Sequence, residues 1–103
     1  MRNYVVLPIV AALLAATGST FADADLAKKH NCVACHLNDK KKYGPAFKDI
    51  AAKYQGDKAA AAKLAKKIKA GGSGVWGQDP MPPQPSVPKA DASKLATYIL
   101  SMN

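Results

Sequence analysis

Apolar residues fall in two different patterns along the chain. From Val5 to Ala16 they form an almost unbroken run, preceded by Arg2 and followed by the small-residue string TGSTFA. A positive start, a short apolar segment and a small residue at the cut make a secretory signal. The run is shorter than the roughly 20 residues needed to span a bilayer. Cleavage after Ala22 gives two segments, a signal over 1–22 and a mature domain over 23–103. Ala22-Asp23-Ala24 also satisfies the small-x-small rule, and an uncleaved anchor is the alternative. Beyond the signal, apolar positions recur three and four apart, the spacing of helices, and no period-two alternation marks a strand.

The first helical stretch reads from Asp25, a capping residue, to about Cys35, with Leu26, His30 and Val33 on one face. LNDKKKYGP is a loop, broken at Gly44-Pro45, and Pro45 can open the next helix. There Phe47, Ile50, Ala51 and Tyr54 make a stripe. Gly56 ends it and Asp57 caps a third helix, alanine-rich and strongly helix-prone, with Ala61, Leu64, Ala65 and Ile68 inward and its lysines outward. Gly71 to Gly74, GGSG, stops that helix. The following VWGQDPMPPQPSVP is too rich in proline for helix or ladder and forms a stiff extended loop around Met81. A last helix starts at Pro88 or Asp91, with Leu95, Tyr98, Ile99 and Met102 on one face. The fold class is all-α, about four helices in a single domain.

Composition makes this domain poor in core. Much of the apolar content is alanine, which buries little area, and a chain this short usually needs a staple, a metal or a cofactor. A Cys32–Cys35 disulfide would close too small a loop to stabilise much. The net charge of the full 103-residue chain is +8. Removing the signal takes away Arg2 and no acid, leaving lysines against aspartates. For an exported protein nucleic acid is an improbable partner. The lysines either keep a helical surface soluble or steer the protein toward acidic partners.

The chemistry concentrates in NCVACH. Structural zinc wants four ligands in separated pairs, whereas Cys32, Cys35, His36 and His30 crowd into seven residues. A thioredoxin-like dithiol needs a strand before its helix, and none is indicated. C-x-x-C-H is the mark of covalent haem attachment. Two thiols one turn apart can bind both vinyl groups of a porphyrin edge, and the adjacent His36 can then bind iron. Such a haem would also fill the missing core. Of the mature methionines, Met102 is explained by packing, while Met81 lies in the rigid loop and is the candidate for the other axial position. His30 shares the attachment helix and cannot reach the opposite face. His/Met ligation fills both axial positions and suits electron transfer rather than catalysis, so no enzyme activity is expected. A haem protein with a displaceable Met81, acting as a peroxidase or gas sensor, is the alternative. A non-redox structural module would be colourless.

CVACH, YGPAFKDIAAKY, GGSGVWGQDPMPP and LATYILSM together resemble the short bacterial class I cytochromes c, monohaem electron carriers of the periplasm. The resemblance covers essentially the whole mature segment. It implies thioethers at Cys32 and Cys35, iron ligation by His36 and Met81, and a Pro45 carbonyl that accepts the His36 Nδ1 proton. It further implies that Trp76 and Lys67 serve the propionates, Lys67 standing where the family often has arginine. Phe47, Leu64, Ile68, Val75 and Leu95 would line the pocket, and the first and last helices would cross. Implied partners are redox proteins such as a terminal oxidase, a denitrifying reductase or other cytochromes, docking through acidic patches. No stable membrane insertion is implied, and the chain would be a monomer. Two departures stand out: Gln84 replaces an asparagine that can reach the methionine sulfur, and QPSVPKAD is one residue longer than usual.

Overall fold

The computed structural model describes residues 19–102. The expected signal lies outside the described residues up to position 18. Its last four residues, 19–22, form the start of helix α1, Ser19–Lys29. The helix expected from Asp25 to Cys35 is therefore displaced and divided. Asp25 lies inside α1 and is not its cap. Asn31 adopts a left-handed backbone (φ 61°) that ends the helical path, and a short 3₁₀ turn, Cys32–Ala34, follows. Asparagine tolerates this conformation better than most residues. Lys28 and Lys29 close the last turn of α1, where cations complement the helix dipole. The break turns Val33 away from the core and leaves it exposed.

Helix α2, Phe47–Lys53, starts two residues after Pro45, with extended Ala46 as its cap. The loop before it folds back to satisfy the free amides of its first turn: Phe47 N–H donates to the Leu37 carbonyl at 2.8 Å, and Lys48 N–H to Asn38 at 3.0 Å. Phe47, Ile50 and Ala51 are buried as expected, and Tyr54 is partly buried. Helix α3, Ala60–Ala70, is led in by Asp57, whose carboxylate accepts the Ala59 N–H at 2.8 Å. Its buried row is Ala60, Leu64 and Ile68, spaced four apart. The expected Ala61 is exposed, one position round the helix from that row, and Ala65 is partly buried.

Helix α4, Lys89–Leu100, is capped by Pro88 and is the hub of the molecule: α1, α2 and α3 all pack on it, α3 most extensively. Ala92, Leu95 and Ala96 are completely buried, together with Ala27 of α1 and Val87 of the preceding loop. Burying one leucine of this size stabilises the fold by about 1.5–3 kcal/mol, and short alanines let helix backbones approach closely. His30 Nε2 and Asp91 Oδ2, 3.0 Å apart and largely buried, join the end of α1 to the first turn of α4. Among the described residues the only strand-like pairing is an isolated antiparallel bridge, Gly72 with Met81.

Candidate functional site

Helices α2, α3 and α4, the 3₁₀ turn and the loops between them leave a cleft enclosing about 1220 Å³ of space free of protein atoms, part of it open to solvent. One rim is the 3₁₀ turn. Cys35 and His36 N–H groups both donate to the Cys32 carbonyl, at 3.2 and 2.9 Å, so a single tight turn brings both cysteines and His36 to the cleft. Burial pushes the free Cys32 thiol above its ordinary pKa, opposed by a backbone hydrogen bond and reinforced by neighbouring Cys35.

His36 is held on three sides. Its Nδ1 lies 2.8 Å from the Pro45 carbonyl oxygen. A carbonyl only accepts, so Nδ1 carries the proton and Nε2 of the neutral ring keeps its lone pair. The ring stacks on Phe47, centroids 5.3 Å apart and planes 18° apart. Gly44 packs against the remaining surface so closely that a Cβ there would collide with Cε1 and both ring nitrogens. Gly44 is in turn pinned by its N–H, which donates to the Cys35 carbonyl at 2.8 Å.

Met81 borders the same cleft from the loop after α3. Gly72 and Met81 exchange two backbone hydrogen bonds, 2.9 and 2.8 Å. Gly71, at φ 66°, is buried against the Met81, Pro82 and Pro83 backbone, where a Cβ would strike the Met81 carbonyl. A left-handed glycine with no room for a side chain thus sets the loop directly on the end of α3. Gln84 also faces the cleft, and its side-chain amide donates to the Pro82 carbonyl at 3.4 Å.

Of the expected lining residues, Phe47, Leu64, Lys67, Ile68, Val75 and Trp76 do border the cleft. Leu95 does not: it is completely buried in the hydrophobic core. Val75 and Trp76 are 48% and 38% exposed at the mouth. The Lys53 ammonium lies over the Trp76 ring, 5.2 Å from the centroid. The sequence reading missed Gly44, Ile50, Tyr54 and Ile99 as wall residues. Ile50, Tyr54 and Ile99 were legible as apolar stripe positions, but a stripe does not say whether it faces a helix or a cofactor.

Two thiols on one turn, an imidazole with a free Nε2, a thioether and walls of phenylalanine, leucine and isoleucine are the donor set and lining that haem requires. Comparison with known proteins agrees. The cytochrome c family model matches residues 15–103. The chain belongs to the cytochrome c family. This cytochrome is 58% identical over 92 residues to cytochrome c-552 of Nitrosomonas europaea, covering 89% of each chain. Against cytochrome c-552 of Hydrogenobacter thermophilus it is 52% identical over 94 residues, covering 91% of this chain and 95% of the relative. The crystal structure of the wild-type Nitrosomonas europaea cytochrome c552 superposes with a TM-score of 0.76 at 60% identity, covering 78% of this chain and 99% of that one. The protein is a small class I monohaem cytochrome c, an electron-transfer protein and not an enzyme. It binds one covalent haem c through Cys32 and Cys35.

Proposed function

We propose that this cytochrome is a periplasmic electron carrier in which His36 and Met81 ligate the haem iron. Bound in the cleft, haem supplies a one-electron Fe(II)/Fe(III) couple. The observation that carries the reading is the 2.8 Å contact between His36 Nδ1 and the Pro45 carbonyl, which leaves Nε2 as the free donor beside a cleft that Met81 also borders. Pro45 fixes the tautomer and the ring orientation, as outer partners of ligating histidines do. Met81 contributes a soft thioether that favours Fe(II) and raises the potential. The apolar walls act in the same sense by penalising the extra positive charge of the oxidised state. Lys67 and Trp76 at the cleft are the proposed partners of the propionates. The double bridge between Gly72 and Met81 argues against a readily displaced Met81, and so against a peroxidase or gas sensor.

The proposed route starts with removal of residues 1–22 and ends with a monomer in the periplasm. Among the described residues no helix is long and apolar enough to cross a membrane. The partners are redox proteins with acidic docking patches. Val75 and Trp76 expose apolar surface at the cleft mouth, with Lys53 above Trp76 and Lys67 in the wall. An apolar centre fringed by cations suits transient docking to an acidic surface.

Absorption spectroscopy of both redox states tests the ligand set through the thioether-to-ferric-iron band in the red. Met81→Ala should abolish that band, lower the reduction potential and allow the reduced protein to bind carbon monoxide. A potential unchanged by Met81→Ala would mean that another group occupies the distal position.

A further inference from the structure

The segment that carries Met81 has little hydrogen bonding of its own. Prolines at 80, 82, 83, 85 and 88 have no N–H to donate, and its internal bonds are the Val87 N–H to the Gln84 carbonyl at 3.1 Å and the Gln84 side-chain amide to the Pro82 carbonyl at 3.4 Å. Lys69, in the last turn of α3, adds bonds from outside it. Its Nζ donates to the Val87 carbonyl at 2.6 Å and reaches the Pro85 carbonyl at 3.5 Å. Its own carbonyl accepts the Gln84 N–H at 3.0 Å. Lys69 is partly buried, unlike the fully exposed Lys63 and Lys66 on the same helix. Its contact to Val87 meets the best-buried anchor of the loop, since Val87 is only 1% exposed. The Gly72 bridge is made by Met81 itself, and the Lys69 attachment follows it in the chain.

We propose that Lys69 is a positioning residue for Met81. Its ammonium ties the far end of the proline-rich segment to α3, so that the backbone bridge at Met81 is backed by a second attachment downstream and Met81 cannot swing away from the cleft. This rests on the reading of Met81 as distal ligand. A charge-assisted hydrogen bond to a carbonyl is stronger than a neutral one. Without it, the open state of the loop should be populated about tenfold more.

The test uses ferric holoprotein with Lys69→Met, which keeps the stem of the side chain and removes its donors, and Lys69→Arg, which keeps a charged donor. Imidazole is the added ligand, because its apparent affinity scales with the fraction of protein whose distal position is open. Lys69→Met should bind imidazole about tenfold more tightly than wild type, and amide hydrogen exchange at Met81 and Gln84 should speed up by a similar factor. Lys69→Arg should restore most of both. If the Lys69→Met protein matches wild type in imidazole affinity and exchange, Lys69 is not a clamp. Met81→Ala measured in parallel separates the two ideas. A red band that survives Met81→Ala overturns the ligand reading itself, whereas a band lost there and untouched imidazole binding in Lys69→Met overturns only the clamp.

Discussion

At the residue scale, His36 is oriented by a glycine as much as by its hydrogen bond. Pro45 holds one edge of the ring and Phe47 one face, but the close approach of Gly44 is possible only without a Cβ. Gly44→Ala should therefore push the ring off its Pro45 contact, or push the loop off the ring. Overpacking of this kind costs about 1–3 kcal/mol. Denaturant unfolding of the holoprotein should register that loss, and the potential should shift as the imidazole tilts. Stability within about 0.5 kcal/mol of wild type would mean that the loop relaxes freely and that Gly44 places nothing. CVACH and the loop methionine were legible in the sequence because the chemistry constrains their spacing. Gly44 was legible only as a turn residue. Its contact with His36 depends on how an eight-residue loop closes, which no local pattern specifies.

At the element scale, periodicity found α2, α3 and α4 and much of their buried faces, but it placed Ala61 for Ala60 and passed over Ala92 and Ala96, while Tyr98 and Met102 are only partly buried. It failed at α1, where the apolar spacing ran smoothly through a left-handed Asn31. That residue ends the helix by backbone conformation, a choice that hydrophobic spacing does not encode. The expected caps also moved: Asp25 lies inside α1, and the cap of α3 is Ala59, two residues after Asp57. Asp57 accepts the Ala59 N–H and pairs with Lys63 at 2.8 Å. The Lys63 hydrogen bond, and then the Ala59 amide, hold the Asp57 carboxyl below its ordinary pKa, while Asp57 raises Lys63. A lowered carboxyl stabilises the fold above its unfolded pKa, and that contribution disappears as pH falls through the folded value. A raised ammonium contributes below its unfolded pKa and is lost as pH rises through the folded one. The pair therefore works across the neutral range. Asp57→Asn keeps an acceptor for the Ala59 amide but loses the charge. It should lower Tm slightly at neutral pH, less so in high salt, and match wild type once acid has protonated the wild-type carboxyl. A difference that persisted unchanged into acid would show that the pairing with Lys63 contributes nothing.

At the scale of the whole molecule, a small core of three alanines and seven larger apolar side chains borders a cleft of its own making, and the outside is a field of lysines. The shortage of core was legible from composition, and so was the need for a cofactor. The surface was not, because lysines at helical spacing look alike whether they solubilise or steer. Among the described residues Lys63 is the only lysine paired with an aspartate, and net charge remains strongly positive. Unneutralised charge of one sign acts over the screening length, about 30 Å at 0.01 M salt and about 8 Å at 0.15 M. If it guides encounter with an acidic redox partner, the second-order rate of electron transfer should fall by about tenfold or more between those two ionic strengths. Stopped-flow measurement with a strongly acidic redox protein gives that slope directly. Lys53→Gln should flatten it further than Lys66→Gln, because Lys53 stands over Trp76 at the cleft mouth while Lys66 lies on the exposed face of α3. Equal slopes for the two variants would mean that net charge alone drives encounter. A rate independent of salt would mean that the lysines serve solubility and that docking relies on the exposed apolar surface of Val75 and Trp76.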